Sequence, residues 1–192
     1  GQIHLSLVSQ ENYFLAHPML AEVVSGSIEP PHIVNPIRRM LPDVHFHQAL
    51  IQSVEVETRT VVINSRGAST HYDRIPFDHL VIAVGSRTDL SGLPGVAEHA
   101  FPFKTLGDAF FLRNHVISVL EEAEVETDPK EKQELLTFVV AGGGYTGVEV
   151  GSEINSFTRE AAKSYSRIDP TEIKVILLHR GTRILPVLPD RL

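Results

Sequence analysis

Apolar positions along the chain recur with two periods, near 2 and near 3.6, and the switches between them mark its elements. Residues 2–8 (QIHLSLV) alternate and predict a short β-strand. Residues 12–26 predict a loop and then a helix that stops at Gly26, a good C-cap residue. After Pro30-Pro31, residues 33–41 predict a short helix closed by Pro42. Residues 44–57, 60–64 and 78–84 predict strands, divided by turn signals at Thr58-Arg59 and Ser65-Arg66-Gly67. The first two form a small antiparallel hairpin. Asp73 and Asp78 read as turn residues. The third strand is nearly all apolar and stops at Gly85, the pattern of a buried, parallel strand.

Residues 86–102 read as loop. From Thr105 to about Glu126, Leu106, Ala109, Phe110, Leu112, Val116, Ile117 and Leu120 fall at helical spacing. The helix runs into an acidic stretch, 121–134, expected to be a solvated helix end and exposed linker. A βαβ unit follows: a strand at 135–141, a glycine-rich turn at 142–147, a helix at 146–166 and a second strand at 173–178. A right-handed crossover joins two parallel strands in such a unit. The fold class is therefore α/β.

Composition narrows the function. The chain has 192 residues, with 17 basic and 24 acidic side chains and a net charge of −7, which argues against a basic face for nucleic acid. It has no cysteine, so this chain carries no disulfide, thiolate zinc site, cysteine nucleophile or redox-active thiol pair. Apolar runs such as 80–84 are far shorter than the roughly 20 residues a membrane-spanning helix needs. His45 and His47 share one face of a strand, but no third ligand accompanies them, so no metal site is expected.

The informative segment is TFVVAGGGYTGVEVGSEI. Gly142, Gly144 and Gly147 fit G-x-G-x-x-G, after an apolar strand and at the start of an amphipathic helix, the context that a dinucleotide-binding loop requires. Gly142 allows the tight turn, Gly144 lets a pyrophosphate approach the backbone, and Gly147 lets the helix pack close to the sheet. The helix N-terminus offers N–H groups and a positive dipole end to phosphate. At the end of the second strand an acid would hold a ribose 2′-hydroxyl, and an arginine would accommodate a 2′-phosphate. His179 and Arg180 stand there, with Arg183 nearby and no acid. That leans toward NADP(H), with NAD bound through backbone groups as the alternative.

AGGGYTGVEVGSEI, followed by KVILLHRGTRILP and preceded by HLVIAVGSRTDLSGLPGVAEHAFPFKTLGDAFFLRNHV, resembles the type II NAD(P)H dehydrogenases, the NAD(P)H:quinone oxidoreductases. The resemblance reaches back to LSLVSQENYFLAHPMLAEVVSG and covers nearly the whole chain. It implies part of a Rossmann-like flavoprotein with two dinucleotide-binding domains: residues 1–103 from an FAD domain, 104–192 from an NAD(P) domain. It implies that Gly142, Gly143, Gly144, Tyr145, Thr146 and Gly147 bind the NAD(P)H pyrophosphate. Glu149 would lie near the nicotinamide, or would simply be an acid favoured in a helix's first turn. Ala83, Val84 and Gly85 would touch the flavin nucleotide, Leu50 and Ile51 the adenine through backbone groups. Pro18 would lie near the isoalloxazine, or serve only as a helix N1 proline.

The implied activity is hydride transfer from NAD(P)H through FAD to a quinone. No side-chain acid or base is assigned, because the cofactors carry the redox chemistry. The resemblance implies a cytoplasmic protein, peripheral on the inner membrane face through parts not in this chain, and allows a homodimer. Two alternatives stay open: a soluble reductase of a small redox protein, and a non-catalytic nucleotide-binding fragment. There are departures from the family. Its opening strand and FAD glycine loop have no counterpart here, nor does its C-terminal part. Ser9 replaces the acid expected to hold the FAD ribose, with Glu11 two residues on. The chain thus reads as the central portion of a longer enzyme, or as a truncated homologue.

Overall fold

The computed structural model describes residues 3–65, 72–90, 92 and 94–189. Gln2, the Arg66-Gly67 turn signal, and Ser91 and Leu93 of the expected loop lie outside the described residues. In chain order the elements are β1 (Ser6–Ser9), β2 (Tyr13–Leu15), α1 (Ala21–Ser25), β3 (Val34–Pro36), α2 (Ile37–Met40), β4 (His45–Glu55), β5 (Thr60–Ser65) and β6 (Tyr72–Pro76). There follow α3 (Val96–His99), α4 (Leu106–Val125), α5 (Pro129–Leu135), β7 (Thr137–Ala141), α6 (Tyr145–Ala162) and β8 (Lys174–Leu178). Two compact units result, Gly1–Leu15 with Val34–Ser86 and Ala16–Ile33 with Arg87–Leu192.

The first unit holds a four-stranded sheet in the order β1-β4-β5-β6. β1 runs parallel to β4, and β4, β5 and β6 form an antiparallel meander. The expected hairpin is β4–β5, turning at Arg59 with φ +49°. Its core is Ala49, Val61 and Ile63, with Val8, Val54, Ile75 and Phe77 packed around them. Tyr72–Pro76 is a strand that the polar reading of Asp73 as a turn residue missed; Asp73 pairs with Ile63. An edge strand with one solvated face needs few apolar residues, so YDRIP carries a weak signal. The helix expected over 33–41 shrinks to α2, because Val34–Pro36 pairs antiparallel with β2. Asn35 precedes Pro36, and a residue before proline is pushed to extended backbone.

The expected strand at 78–84 does not form. Residues 77–90 make no ladder, and Val81, Ile82 and Val84 are 87%, 69% and 76% exposed. An apolar parallel strand requires neighbours on its edges and layers on its faces. No described residue supplies a paired strand here.

The second unit is built on the predicted βαβ unit. β7 and β8 pair in parallel with Val139 opposite Ile176 and Ala141 opposite Leu178. α4 starts at a capping box: Thr105 Oγ1 accepts the Asp108 N–H (3.1 Å), and Asp108 Oδ2 accepts the Thr105 N–H (2.7 Å). Val116, Leu120 and Ala123 of α4 meet Leu136, Ala162, Ile168 and Ile173 in one core. The acidic stretch is not an exposed linker throughout. Asp128 accepts the N–H groups of Lys130 (2.7 Å) and Glu131 (3.2 Å), Pro129 takes the first turn, and α5 forms. The apolar pair Leu135-Leu136 anchors it to the core. Glu124 accepts from the Ser166 N–H, the Ser166 hydroxyl and the Arg167 N–H at 3.1, 2.7 and 2.9 Å. α1 ends at Gly26 in the left-handed conformation, as expected, and buries Ala21, Val23 and Val24. Arg113 donates to the Val24 carbonyl (2.9 Å) while its guanidinium covers the Phe157 ring.

Candidate site at the glycine-rich loop

The loop between β7 and α6 is tied to β8 from its first residue: the Gly142 N–H donates to the Leu178 carbonyl at 2.8 Å. Gly142 has φ +129°, a conformation that residues with a Cβ rarely adopt. Gly144 is the extended N-cap residue of α6, and no side chain caps that terminus or places an acid in its first turn. The first N–H groups of a helix have no intrahelical acceptor, so they are left facing outward with the positive end of the dipole. A Cβ on Gly144 would meet nothing within 4 Å, so its surface is open to a ligand. A Cβ on Gly147 would lie 1.9 Å from the Gly142 carbonyl oxygen. α6 therefore lies directly on the loop, and no side chain fits between them.

Tyr145, Thr146 and Glu149 are exposed on α6. Glu149 lies past the first turn, because α6 starts at Tyr145, so a first-turn dipole effect does not account for it. Arg180 is exposed after β8, whereas His179 is half-buried and not a free solvated residue. Its Nδ1 accepts the Gly143 N–H at 3.2 Å. The Gly143 carbonyl accepts the Leu185 N–H at 2.7 Å. Neither contact was expected from the G-x-G-x-x-G pattern, which leaves Gly143 as a free position. The loop, the start of α6 and the end of β8 thus come together at one surface, with the helix's positive dipole end beside them.

The other candidate residues lie elsewhere. Pro18 is exposed at the start of a one-turn 3-10 helix preceding α1, the position a proline takes without any ligand. Leu50 and Ile51 are exposed on β4 in the first unit, beyond the stretch that pairs with β1. Ala83, Val84 and Gly85 belong to the unpaired exposed segment of that unit. The described residues show no second glycine-rich strand-to-helix turn to cradle a flavin's pyrophosphate. His45 and His47 are the only imidazoles on β4, and no three described His, Cys, Asp or Glu residues are arranged to hold a metal. No helix among the described residues is long and apolar enough to cross a membrane.

The family model described as pyridine nucleotide-disulphide oxidoreductase matches residues 2–192. A probable NADH dehydrogenase of Dictyostelium discoideum is 32% identical, over 98% of this chain and 43% of its own length. A type II NADH:quinone oxidoreductase of Mycobacterium tuberculosis is 31% identical, over 100% of this chain and 42% of its own length. The solved structure of NDH2 from Plasmodium falciparum in complex with NADH superposes with a TM-score of 0.87 at 27% identity, covering 97% of this chain and 39% of that one. The chain spans about two fifths of the length of these relatives.

Proposed function

The chain belongs to the pyridine nucleotide-disulphide oxidoreductase family, and from that premise we propose that it is the nucleotide-binding portion of an FAD-dependent NAD(P)H:quinone oxidoreductase. The observation that carries this reading is the uncapped N-terminus of α6 facing open space at Gly144, with Gly147 packed on the loop behind it. Relatives 32% and 31% identical over nearly the whole of this chain are named as a probable NADH dehydrogenase and a type II NADH:quinone oxidoreductase.

In this reading Gly144, Tyr145, Thr146 and Gly147 present their N–H groups to the pyrophosphate. Glu149 orients the carboxamide end. Arg180, exposed at the end of β8, favours a ribose 2′-phosphate and so NADPH. Bound at these residues, NAD(P)H would supply the hydride, and a flavin would supply the two-electron relay toward a quinone. This chain's contribution is position and electrostatics, through backbone donors that need no reorganisation. Ala83, Val84, Gly85, Leu50, Ile51 and Pro18 are proposed as its contacts to the flavin. Peripheral attachment to the inner membrane face, a cytoplasmic location and a homodimer belong to the same proposal.

The test is a titration of the purified chain with NADH and with NADPH, with the absorption spectrum recorded first. NADPH binding more tightly, with the order reversed by Arg180→Asp, supports the assignment of the loop and strand end. A flavin band supports the FAD contacts. No binding of either nucleotide at millimolar concentration contradicts the reading.

A further inference from the structure

Gly143 is the middle residue of Gly142-Gly143-Gly144, and the dinucleotide motif gives it no task. It is nonetheless the buried one of the three. A Cβ placed on it would stand 2.8 Å from His179 Cγ and 3.0 Å from His179 Cβ and Nδ1. Those atoms lie at the root of the imidazole, so the ring cannot swing aside cheaply. Its N–H is held by His179 Nδ1 and its carbonyl by the Leu185 N–H, at 3.2 and 2.7 Å. Both polar groups of Gly143 are therefore held by the segment that follows β8.

That segment is itself set up for the contact. Leu185 has φ +49°, in the left-handed region that a bulky residue seldom enters. Arg183 donates to the carbonyls of Pro186 (3.0 Å) and Leu188 (2.8 Å), and the Leu188 N–H closes onto the Leu185 carbonyl (3.0 Å). A strained residue in an over-determined turn marks a place where geometry serves a purpose. The Gly143 N–H can only donate, so Nδ1 is unprotonated and the remaining ring proton sits on Nε2.

We propose that the segment after β8 is a clamp, with His179 as its positioning residue, that holds the Gly143 peptide and so presets the loop for the nucleotide. The inference rests on the nucleotide-binding reading above and adds to it. His179 occupies the place where a ribose-binding acid is expected, but its ring is committed to the loop rather than free for the sugar. The choice between the two nucleotides then falls to Arg180, exposed at the end of β8.

The experiment compares NADH and NADPH dissociation constants and Gly143 amide exchange in the purified chain and five variants. His179→Ala is expected to weaken both nucleotides by roughly tenfold and to speed Gly143 exchange. His179→Asn, whose Oδ1 can stand where Nδ1 stood, restores both to within about threefold, and His179→Gln does not. Gly143→Ala is expected to weaken binding roughly tenfold in the parent chain and by clearly less on the His179→Ala background, where only the 3.0 Å approach to the retained Cβ is left, because the two sites are coupled. Equal affinities in parent and His179→Ala, or Asn as poor as Ala, overturn the clamp. Additive losses from Gly143→Ala on both backgrounds overturn it as well. If the parent chain binds neither nucleotide, the nucleotide reading itself fails. Gly143 exchange then still reports whether His179 holds the peptide.

Discussion

Residues 137–142 (TFVVAG) and 79–85 (HLVIAVG) are near twins in composition: an apolar run ending at a glycine with positive φ. The first is β7, paired in parallel with β8 and packed under α6, where Val140 and Val175 lie against Gly151 at 3.6 and 3.9 Å from its notional Cβ. The second makes no ladder, and its Val81 is 87% exposed. Apolarity is common to both. What differs is the chain that follows. After Gly142 a helix and a return strand arrive within about forty residues and supply both a face and an edge. After Gly85 the described residues bring only loop and the single turn of α3 before α4. A parallel strand is therefore a property of a βαβ unit rather than of six residues.

The largest expected effect separates the two stretches by stability. Leu136, fully buried just before β7, should cost about 2–5 kcal/mol on replacement by alanine, through lost burial and the cavity left behind. Val81→Ala should stay within about 0.5 kcal/mol, as for any exposed side chain. Denaturant melts of the two variants decide; similar losses would mean that 79–85 is packed in solution.

Gly147→Val comes next. Its first side-chain atom would overlap the Gly142 carbonyl, so overpacking of about 3 kcal/mol is expected. If that cost falls on the bound loop geometry, nucleotide affinity drops about 100-fold, read by titration. Gly85→Ala is strained at φ +71°, but that strain lies outside the glycine loop and should leave NADH and NADPH affinity unchanged.

A smaller effect tests why β7 is delivered at all. Asp128 caps α5, which leads directly into Leu136 and β7. Asp128→Ala should lower stability by about 1 kcal/mol, measured by thermal unfolding.

The smallest effect is in the pH profile of the second unit. Hydrogen bonds from Ser166 and Arg167 hold the Glu124 carboxyl below its usual range, and the Lys132 ammonium does the same for Glu172. Groups whose folded value is lowered stabilise the fold above the ordinary carboxylate range, and that contribution is lost as the pH falls through the lowered values. Tyr165 runs the other way: burial, and then its hydrogen bond to Glu121, push it up to about 12. Its contribution is complete below the ordinary tyrosine value of 10.0 and fades as the pH rises toward 12. Unfolding midpoints across both windows test this, and Tyr165→Phe should remove the alkaline loss.

Much of the second unit was legible in the sequence, because helix and strand periods, Thr105, Gly26 and the three motif glycines all signal locally. The α5 helix was obscured by its charge, although Asp128-Pro129 carried the start signal. β6 was obscured because an exposed edge strand alternates too weakly to stand out. The fate of 78–84 was not local at all, since its backbone needs partners from elsewhere. At the site, Gly142, Gly144 and Gly147 could be assigned from spacing. The contact between Gly143 and His179 could not, because it depends on a side chain arriving from 36 residues away.

The most direct test is a titration of the chain with NADH, followed by NMR at individual backbone amides. The account predicts saturable shifts at Gly144, Thr146 and Gly147, with Val81, Ile82 and Val84 unmoved. No shift in the glycine loop at millimolar NADH, or shifts that begin at 81–84, would contradict it.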